Sequence, residues 1–422
     1  MPRPIRAPFL VALAAATTFA LAACSTAPPV RPGGLAGTED AAPDTLLLVS
    51  IDGLHPDRIN PVDSPNLVRL AAGGVQARWM TPSYPSLTFP NHYTIATGLR
   101  PDRHGIVHNS MHDEDLGTFR LSDPEAVGTG DWWGGEPLWV TAEKAGMPTA
   151  TMFWPGSEAA IDGVRPSRWH VYDEAVSAAE RADTVAGWLL EPADTRPRFA
   201  TLYFHAVDTA AHQSGPDSEE ARRALAGIDA AIGGLLDALE RGGRLARTNI
   251  VLVSDHGMAP VPPGNHLSVS DMVGMEQARI SSIGQVVMIQ PNPGHEGEVE
   301  ARLLGRHEHY QCWRRGELPA RWHYGTHPRI PAIVCQMDEG WDAVLPRMVE
   351  ARSRGGMRGS HGYDPALPSM RAVFIASGPA FRRGAEIGPI DNVDVYPLLA
   401  RLLGIAPVDH DGDPAALLPA LR

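Results

Sequence analysis

The sequence predicts an α/β fold with a mostly parallel, doubly wound sheet flanked by helices, and two observations carry that reading. Three apolar runs, "TLLLVSIDG", "RFATLYFHAVD" and "TNIVLVSDHG", each lead into a carboxylate: Asp52, Asp208 and Asp255. Continuous Val, Leu and Ile runs suit strands covered on both faces, as parallel strands are. Between them lie helical patterns, "SPNLVRLAAGG", "EPLWVTAEKAG" and "EEARRALAGIDAAIGGLLDALERGG", and strand alternating with helix is the grammar of an α/β sheet. Ligands of such sheets bind beyond the carboxyl ends of the strands, where all three aspartates fall. With 422 residues, 43 % of them hydrophobic, the chain can bury a large core and exceeds one minimal domain.

In chain order, "MPRPIR" is basic and "APFLVALAAATTFALAAC" is apolar but short for a bilayer span, so residues 1–24 read as an export signal. Leu21, Ala22, Ala23 and Cys24 resemble a bacterial lipobox, which would make Cys24 the lipid attachment point; cleavage at small residues that discards Cys24 is the other reading. Residues 25–43 are a Ser/Pro/Gly-rich tether. The α/β core is expected over residues 44–259 and 356–422. A small α+β subdomain is expected over 260–355, where "VPPGNH", "QPNPGHEGE" and "HYGTHPRIP" break the pattern and "QVVMIQ" and "PAIVCQM" read as short strands around a helix. The core resumes with the strand in "GSHGYDPALPSMRAVFIASGPAF" and closes on the helix "VDVYPLLARLLG". Cys312 and Cys335 could form a disulfide in an oxidising periplasm or stand as two buried thiols.

A net charge of −13 argues against a nucleic-acid surface, which needs clustered Lys and Arg. No "GxxxxGKS" loop and no internal repeat is present. The chemistry-bearing residues are individually unremarkable. Asp208 and His212 in "DTAAH" share a helix face at i and i+4 but could be a surface pair. Asp255 and His256 in "SDHG" could belong to a turn, His361 in "SHGYD" to a loop, and Asp52 to a helix cap. Together, three carboxylates and three imidazoles at strand ends are what two divalent cations require. Two such ions about 4 Å apart can clamp a phosphoryl group, and a half-imidazole ligand set favours Zn²⁺ over Mg²⁺.

The stretch "SLTFPNHYTIATG" supplies a hydroxyl. Pro90 fixes φ near a helix start, and Gly98 can close the short helix in a left-handed conformation. Thr88 then falls at or near the N-cap, where orphan amides and the helix dipole favour negative charge. Beside a bound cation its hydroxyl would ionise more readily and become a nucleophile. Without the surrounding ligands it would be an ordinary cap.

Five motifs, "PSLTFPNHYTIATGLRPDRHGIVHNSM", "WWGGEPLWVTAEKAG", "YFHAVDTAAHQSGP", "LVSDHGM" and "HGYDPALPSMRAVFIASGPAF", together resemble the nucleotide pyrophosphatase/phosphodiesterase family of the alkaline phosphatase superfamily, from about Thr45 to Leu403. The resemblance implies an alkaline-phosphatase-like core, two Zn²⁺ per chain and a bacterial periplasmic member. It implies that Thr88 is the nucleophile, with Asp52, Asp255 and His256 holding the zinc that also binds Thr88, and Asp208, His212 and His361 holding the other. Asn109 would donate to a phosphate oxygen in the transition state, and Phe89 and Tyr172 would stack a nucleobase in a slot lined by Leu121 and Tyr203. The implied reaction hydrolyses phosphodiester and phosphoanhydride bonds of ATP-like compounds, dinucleotides and nucleotide diesters. It passes through a threonyl-nucleotidyl intermediate and releases nucleoside 5′-monophosphates with configuration at phosphorus retained. Two dications balance three aspartates and an alkoxide, so the inner shell suits a singly charged diester, and none of the matching motifs places an Arg beside Thr88.

A diesterase of lipid headgroups such as glycerophosphocholine would use the same centre, with "HDEDLG" and "DWWGGE" supplying an acidic, aromatic pocket. A phosphonate hydrolase with a Thr nucleophile is a further alternative. A sulfatase would need "CxPxR" where this chain has "LTFPN". A zinc-binding lipoprotein without turnover is the reading from outside enzymology, although structural zinc sites are usually closed by four ligands. The expected state is a monomer or weak dimer, periplasmic, touching the membrane only through an N-terminal lipid.

Overall fold

The computed structural model describes residues 45–422; the export signal, the Cys24 lipidation point and the tether, read onto residues 1–43, lie outside the described residues. The apolar run that opens the described chain, Thr45–Ile51, is buried at every position. It is flanked on both sides by parallel neighbours, Phe199–Phe204 and Thr248–Val253. Its side chains alternate between faces, as a period of two requires. Leu46 and Leu48 join a core with Tyr93, Trp139 and Tyr396, and Leu47, Val49 and Ile51 join another with Leu225, Ile228 and Leu235. Those partners come from the helices Thr88–Thr97, Leu138–Lys144 and Val395–Leu403 on one side and Glu219–Arg241 on the other.

The sheet has eight strands in the order Ala385–Ile387, Val75–Ala77, Phe374–Ser377, Thr248–Val253, Thr45–Ile51, Phe199–Phe204, Thr149–Met152 and Arg168–Trp169. The last five run parallel. Phe374–Ser377 is antiparallel to both of its neighbours, so the sheet is mixed at that edge. The helix Pro65–Ala72 shows how the layers lock together. Its N-cap Ser64 makes no side-chain cap; instead the buried Asp229 of the helix Glu219–Arg241 accepts from the Leu67 amide at 2.8 Å and the Asn66 amide at 3.1 Å. A carboxylate there satisfies orphan amides and the positive end of the helix dipole at once.

Ala259–Val261 pairs antiparallel with Arg358–Ser360. The chain between them builds a second, five-stranded antiparallel sheet in the order Ala278–Ser282, Val286–Pro291, Ile333–Met337, Tyr310–Arg314 and Gly305–Arg306. Val286, Met288 and Val334 pack into the same core as Tyr84 and Trp322, while Val287, Ile289 and Ile333 face Val269 and Val299. The second sheet therefore shares a core with the first, and residues 45–422 pack as one unit. Cys312 and Cys335 sit opposite each other on adjacent strands and form a disulfide. Among the described residues no helix is long and apolar enough to cross a membrane.

Candidate active site

The parallel register brings the strand ends level. Ile51 is paired with Phe204 and Ser50 with Val253, so Asp52, the helix Ala206–Ser214 and the Asp255–His256 turn all emerge at one edge of the sheet. His361 follows directly on the strand Arg358–Ser360. Thr88 is the first residue of the helix Thr88–Thr97, whose N-cap is the extended Leu87 and whose C-cap Gly98 is left-handed at φ 69°. The N-cap Leu87 offers no side-chain cap, and the first-turn amide of Phe89 is taken by Asn109 Oδ1 at 2.9 Å, so the Thr88 hydroxyl is not an ordinary cap and is free for another role.

All six expected ligands and Thr88 converge. The Asp208 Oδ1 lies 3.4 Å from His212 Nε2 and 3.5 Å from His361 Nε2. His256 Nε2 lies 3.6 Å from Asp52 Oδ1, 2.9 Å from Asp255 Oδ2 and 3.3 Å from Thr88 Oγ1. The His256 and His361 rings stack at 3.6 Å, which joins the two halves. Ligands about 2.0–2.1 Å from a tetrahedral Zn²⁺ stand roughly 3.3 Å apart, and most of these separations match that spacing.

Two further observations show that the residues fit divalent cations. Asp52 Oδ1, Asp208 Oδ1 and Asp255 Oδ2 are buried and accept no hydrogen bond, an arrangement that would be costly unless a cation faced them. Among the described residues none of the three forms an ion pair with Arg or Lys; their basic neighbours are imidazoles. Each of those imidazoles is held in one tautomer. His212 Nδ1 bonds the Gly359 carbonyl, His256 Nδ1 the Gly257 carbonyl and His361 Nδ1 the Ser86 carbonyl, each at 2.9 Å. A carbonyl only accepts, so Nδ1 carries the proton and Nε2 presents its lone pair, the arrangement by which proteins orient metal-ligating histidines.

His92 separates ligand from neighbour. Four residues after Thr88 on the same helix, it lies with Asp52 and Asp255 in a tight group. However, its Nδ1 bonds the Thr88 carbonyl at 2.9 Å and its Nε2 bonds Ser50 Oγ at 2.8 Å. Both nitrogens are occupied, so His92 buttresses Asp255, 3.4 Å away, and binds no cation itself. The sequence reading missed it, although its i+4 spacing from Thr88 was a usable signal.

The electrostatics follow from this packing. Burial, with Asp255 and Asp208 alongside, pushes the Asp52 carboxyl well above the usual carboxylate range. Burial would raise Asp255 too, but the His256 and His92 imidazoles outweigh it and hold Asp255 well below that range. Burial lowers His256, yet the adjoining Asp255 wins and raises it, so that carboxylate favours a positive charge at Nε2. Burial, together with His256 and His212, pushes His361 well below the usual imidazole range and keeps it neutral.

Tyr203 meets the exposed Tyr172 ring edge-on at 6.2 Å. It is buried, and its hydroxyl donates to Asp52 Oδ2 at 2.6 Å, so it also orients the Asp52 carboxylate. Replacing Tyr203 by Phe removes that bond with little change of shape. The expected result in a zinc titration is a loss of affinity of about 10–100-fold; unchanged affinity would show that Asp52 is held without it.

Asn109 Oδ1 accepts from the Phe89 amide at 2.9 Å, which fixes the carboxamide orientation and leaves Nδ2 as its donor. Leu121 is tied beside it, its amide donating to the Asn109 carbonyl at 3.0 Å. Phe89 packs its ring against Phe119 and Trp133. Tyr172 belongs to another ring cluster, with Phe153, Tyr203 and His205. Leu121 and Tyr172 are exposed. Trp132 and Trp133, offered as walls of a headgroup pocket, are buried in the core, so "DWWGGE" supplies no open aromatic cage.

Fold and site together define a metal-centre protein of the α/β class, with a hydroxyl at a helix mouth set against a cluster fit for two dications. The chain belongs to the family described as type I phosphodiesterase/nucleotide pyrophosphatase, whose profile matches residues 46–364. It is 35 % identical over 418 residues to ectonucleotide pyrophosphatase/phosphodiesterase family member 3 of Bos taurus, covering 94 % of this chain and 46 % of that one. It is 32 % identical to family member 7 of Mus musculus, covering 95 % and 90 %. It thus spans about half the length of several curated relatives that it matches. Among solved structures, murine ectonucleotide pyrophosphatase/phosphodiesterase 5 superposes with a TM-score of 0.84 at 30 % identity, covering 90 % of this chain and all of that one. An inactive threonine-to-alanine form of that murine protein, in complex with AMP, superposes equally well.

Proposed function

We propose that this chain is a two-zinc phosphodiesterase that hydrolyses nucleotide phosphodiester and phosphoanhydride bonds and releases nucleoside 5′-monophosphates. The observation that carries the proposal is the Thr88 hydroxyl 3.3 Å from His256 Nε2, beside three buried carboxylate oxygens that accept no hydrogen bond. Asp52, Asp255 and His256, with Thr88, would hold one cation, and Asp208, His212 and His361 the other. When bound, the cations supply charge neutralisation at the phosphoryl oxygens and favour the ionised hydroxyl. Thr88 Oγ1 attacks phosphorus in line, the leaving group departs on the opposite side, and a threonyl-nucleotidyl ester forms. Water then attacks that ester in line, and two inversions retain configuration. Asn109 Nδ2, held by the Phe89 amide on its other face, donates to a non-bridging oxygen as charge grows there. The AMP bound by the murine relative supports a nucleotide substrate.

A substrate panel tests the reading: ATP and a dinucleotide should turn over with release of the monophosphate, and glycerophosphocholine should not. Tyr172→Ala should raise KM for a nucleoside 5′-monophosphate p-nitrophenyl ester about tenfold through lost stacking, leaving KM for bis(p-nitrophenyl) phosphate unchanged. Preference for glycerophosphocholine would sink the nucleotide assignment.

A further inference from the structure

Between the strands Tyr310–Arg314 and Ile333–Met337 runs a loop of residues 315–332 whose base is closed by the Cys312–Cys335 disulfide. An excursion of that length without regular strands or long helices would ordinarily be mobile. Here it is fastened to the segment that carries Asn109. Asp102 Oδ1 accepts from the amides of Gly325, Thr326 and His327 at 3.0, 2.9 and 2.9 Å. The Tyr324 hydroxyl donates to the Val107 carbonyl at 2.9 Å. Arg329, its side chain only 9 % exposed, donates to Asp113 Oδ2 at 2.7 Å and to the carbonyls of Gly105 and Trp132 at 2.9 and 2.6 Å. Gly105 makes this approach possible: at φ +79°, a Cβ there would meet His327 Nε2 at 2.9 Å and Arg329 Nη1 at 3.0 Å.

The anchors fall at residues 102, 105 and 107 before Asn109 and at 113 after it. We propose that the disulfide-closed loop 315–332 is a clamp for Asn109, with Arg329 as its positioning residue and Asp113 as the carboxylate that holds Arg329. The loop touches neither Thr88 nor the cation ligands through these bonds; it acts by fixing the backbone on both sides of Asn109, so that the carboxamide stays locked to the Phe89 amide. The functional half rests on the role given to Asn109 above. The structural half does not.

Two measurements separate those halves. Amide exchange at Phe89 reports the Asn109 bond directly, and Arg329→Met should accelerate it at least about tenfold as the segment loosens. Turnover of bis(p-nitrophenyl) phosphate by the zinc-loaded protein should show kcat reduced by about 10–100-fold in Arg329→Met, with KM and zinc content unchanged. In an Asn109→Ala background the same substitution should reduce kcat less than about twofold, because residues acting through one another are not additive. Losses that multiply in the two backgrounds, or Phe89 exchange that does not change, overturn the clamp. A wild-type protein that lacks turnover while Arg329→Met still accelerates exchange overturns the proposed activity and leaves the clamp standing. Asp113→Asn, which keeps shape and removes one charge, serves in the same assays if Arg329→Met does not fold.

Discussion

Thr88→Ala is expected to lower diester turnover by at least about 10⁴-fold, the scale on which removal of a nucleophile acts, while leaving zinc content and fold intact. The structure supports this separation of chemistry from stability. The hydroxyl caps no helix amide, and its polar neighbour is His256 Nε2 at 3.3 Å. The Thr88 carbonyl, which does hold structure, bonds His92 Nδ1 through the backbone and survives the change. Loss of Oγ1 should therefore shift stability by less than about 1 kcal/mol. Single-turnover labelling with a nucleotide diester gives a second readout: wild-type protein should carry the nucleotidyl group transiently on Thr88, and the alanine variant should carry none. A variant that unfolds while the wild-type shows no turnover would favour the zinc-binding lipoprotein without catalysis.

Much of this centre was legible in the sequence because its parts follow strong local rules. A strand buried on both faces must be apolar throughout, so the carboxylate that follows it is conspicuous, and Asp52 and Asp255 stand out in that way. Asp208 lies a few residues further on, in the first turn of the helix Ala206–Ser214, where its i+4 spacing from His212 marks it as well. The Thr88 helix was bounded by Pro90 and Gly98, and Gly98 does adopt the left-handed cap. What could not be read depends on which way a side chain turns or a strand runs. The run "AVFIASG" looks the same parallel or antiparallel, since full burial removes any alternation that would mark direction; Phe374–Ser377 proved antiparallel. Tyr203 alternates off its strand as any core aromatic would, and only the folded packing brings its hydroxyl onto Asp52. The tryptophans at 132 and 133 look like surface cage residues amid polar neighbours, yet Trp132 lies beneath the Arg329 guanidinium, 4.8 Å from its ring, and Trp133 against Phe89. Arg329 reaches there from a loop nearly two hundred positions away, a distance no local pattern encodes.

Removal of the cations should have the second large effect, and its sign can be worked out from the carboxylates. Without a dication, Asp52, Asp208 and Asp255 face one another in a pocket where burial already pushes Asp52 well up, and their proximity adds to it. Chelation is therefore expected to abolish turnover and also to lower the melting temperature. A cation present at 1,000 times its dissociation constant stabilises the folded state by about 4 kcal/mol. Titrating zinc back should restore both properties together, with two equivalents bound per chain. Asp208→Asn sharpens the test, because Asp208 groups both with His212 and His361 and with Asp52 and His256. The variant lacks one of the three repelling charges, so its metal-free form should melt no lower than metal-free wild type. Since both cation positions lose a ligand or a neighbouring charge, added zinc should raise its melting temperature far less. If metal-free and zinc-loaded wild type melted at the same temperature, the buried carboxylates would have to be neutralised by some other means, and the two-cation centre would not stand.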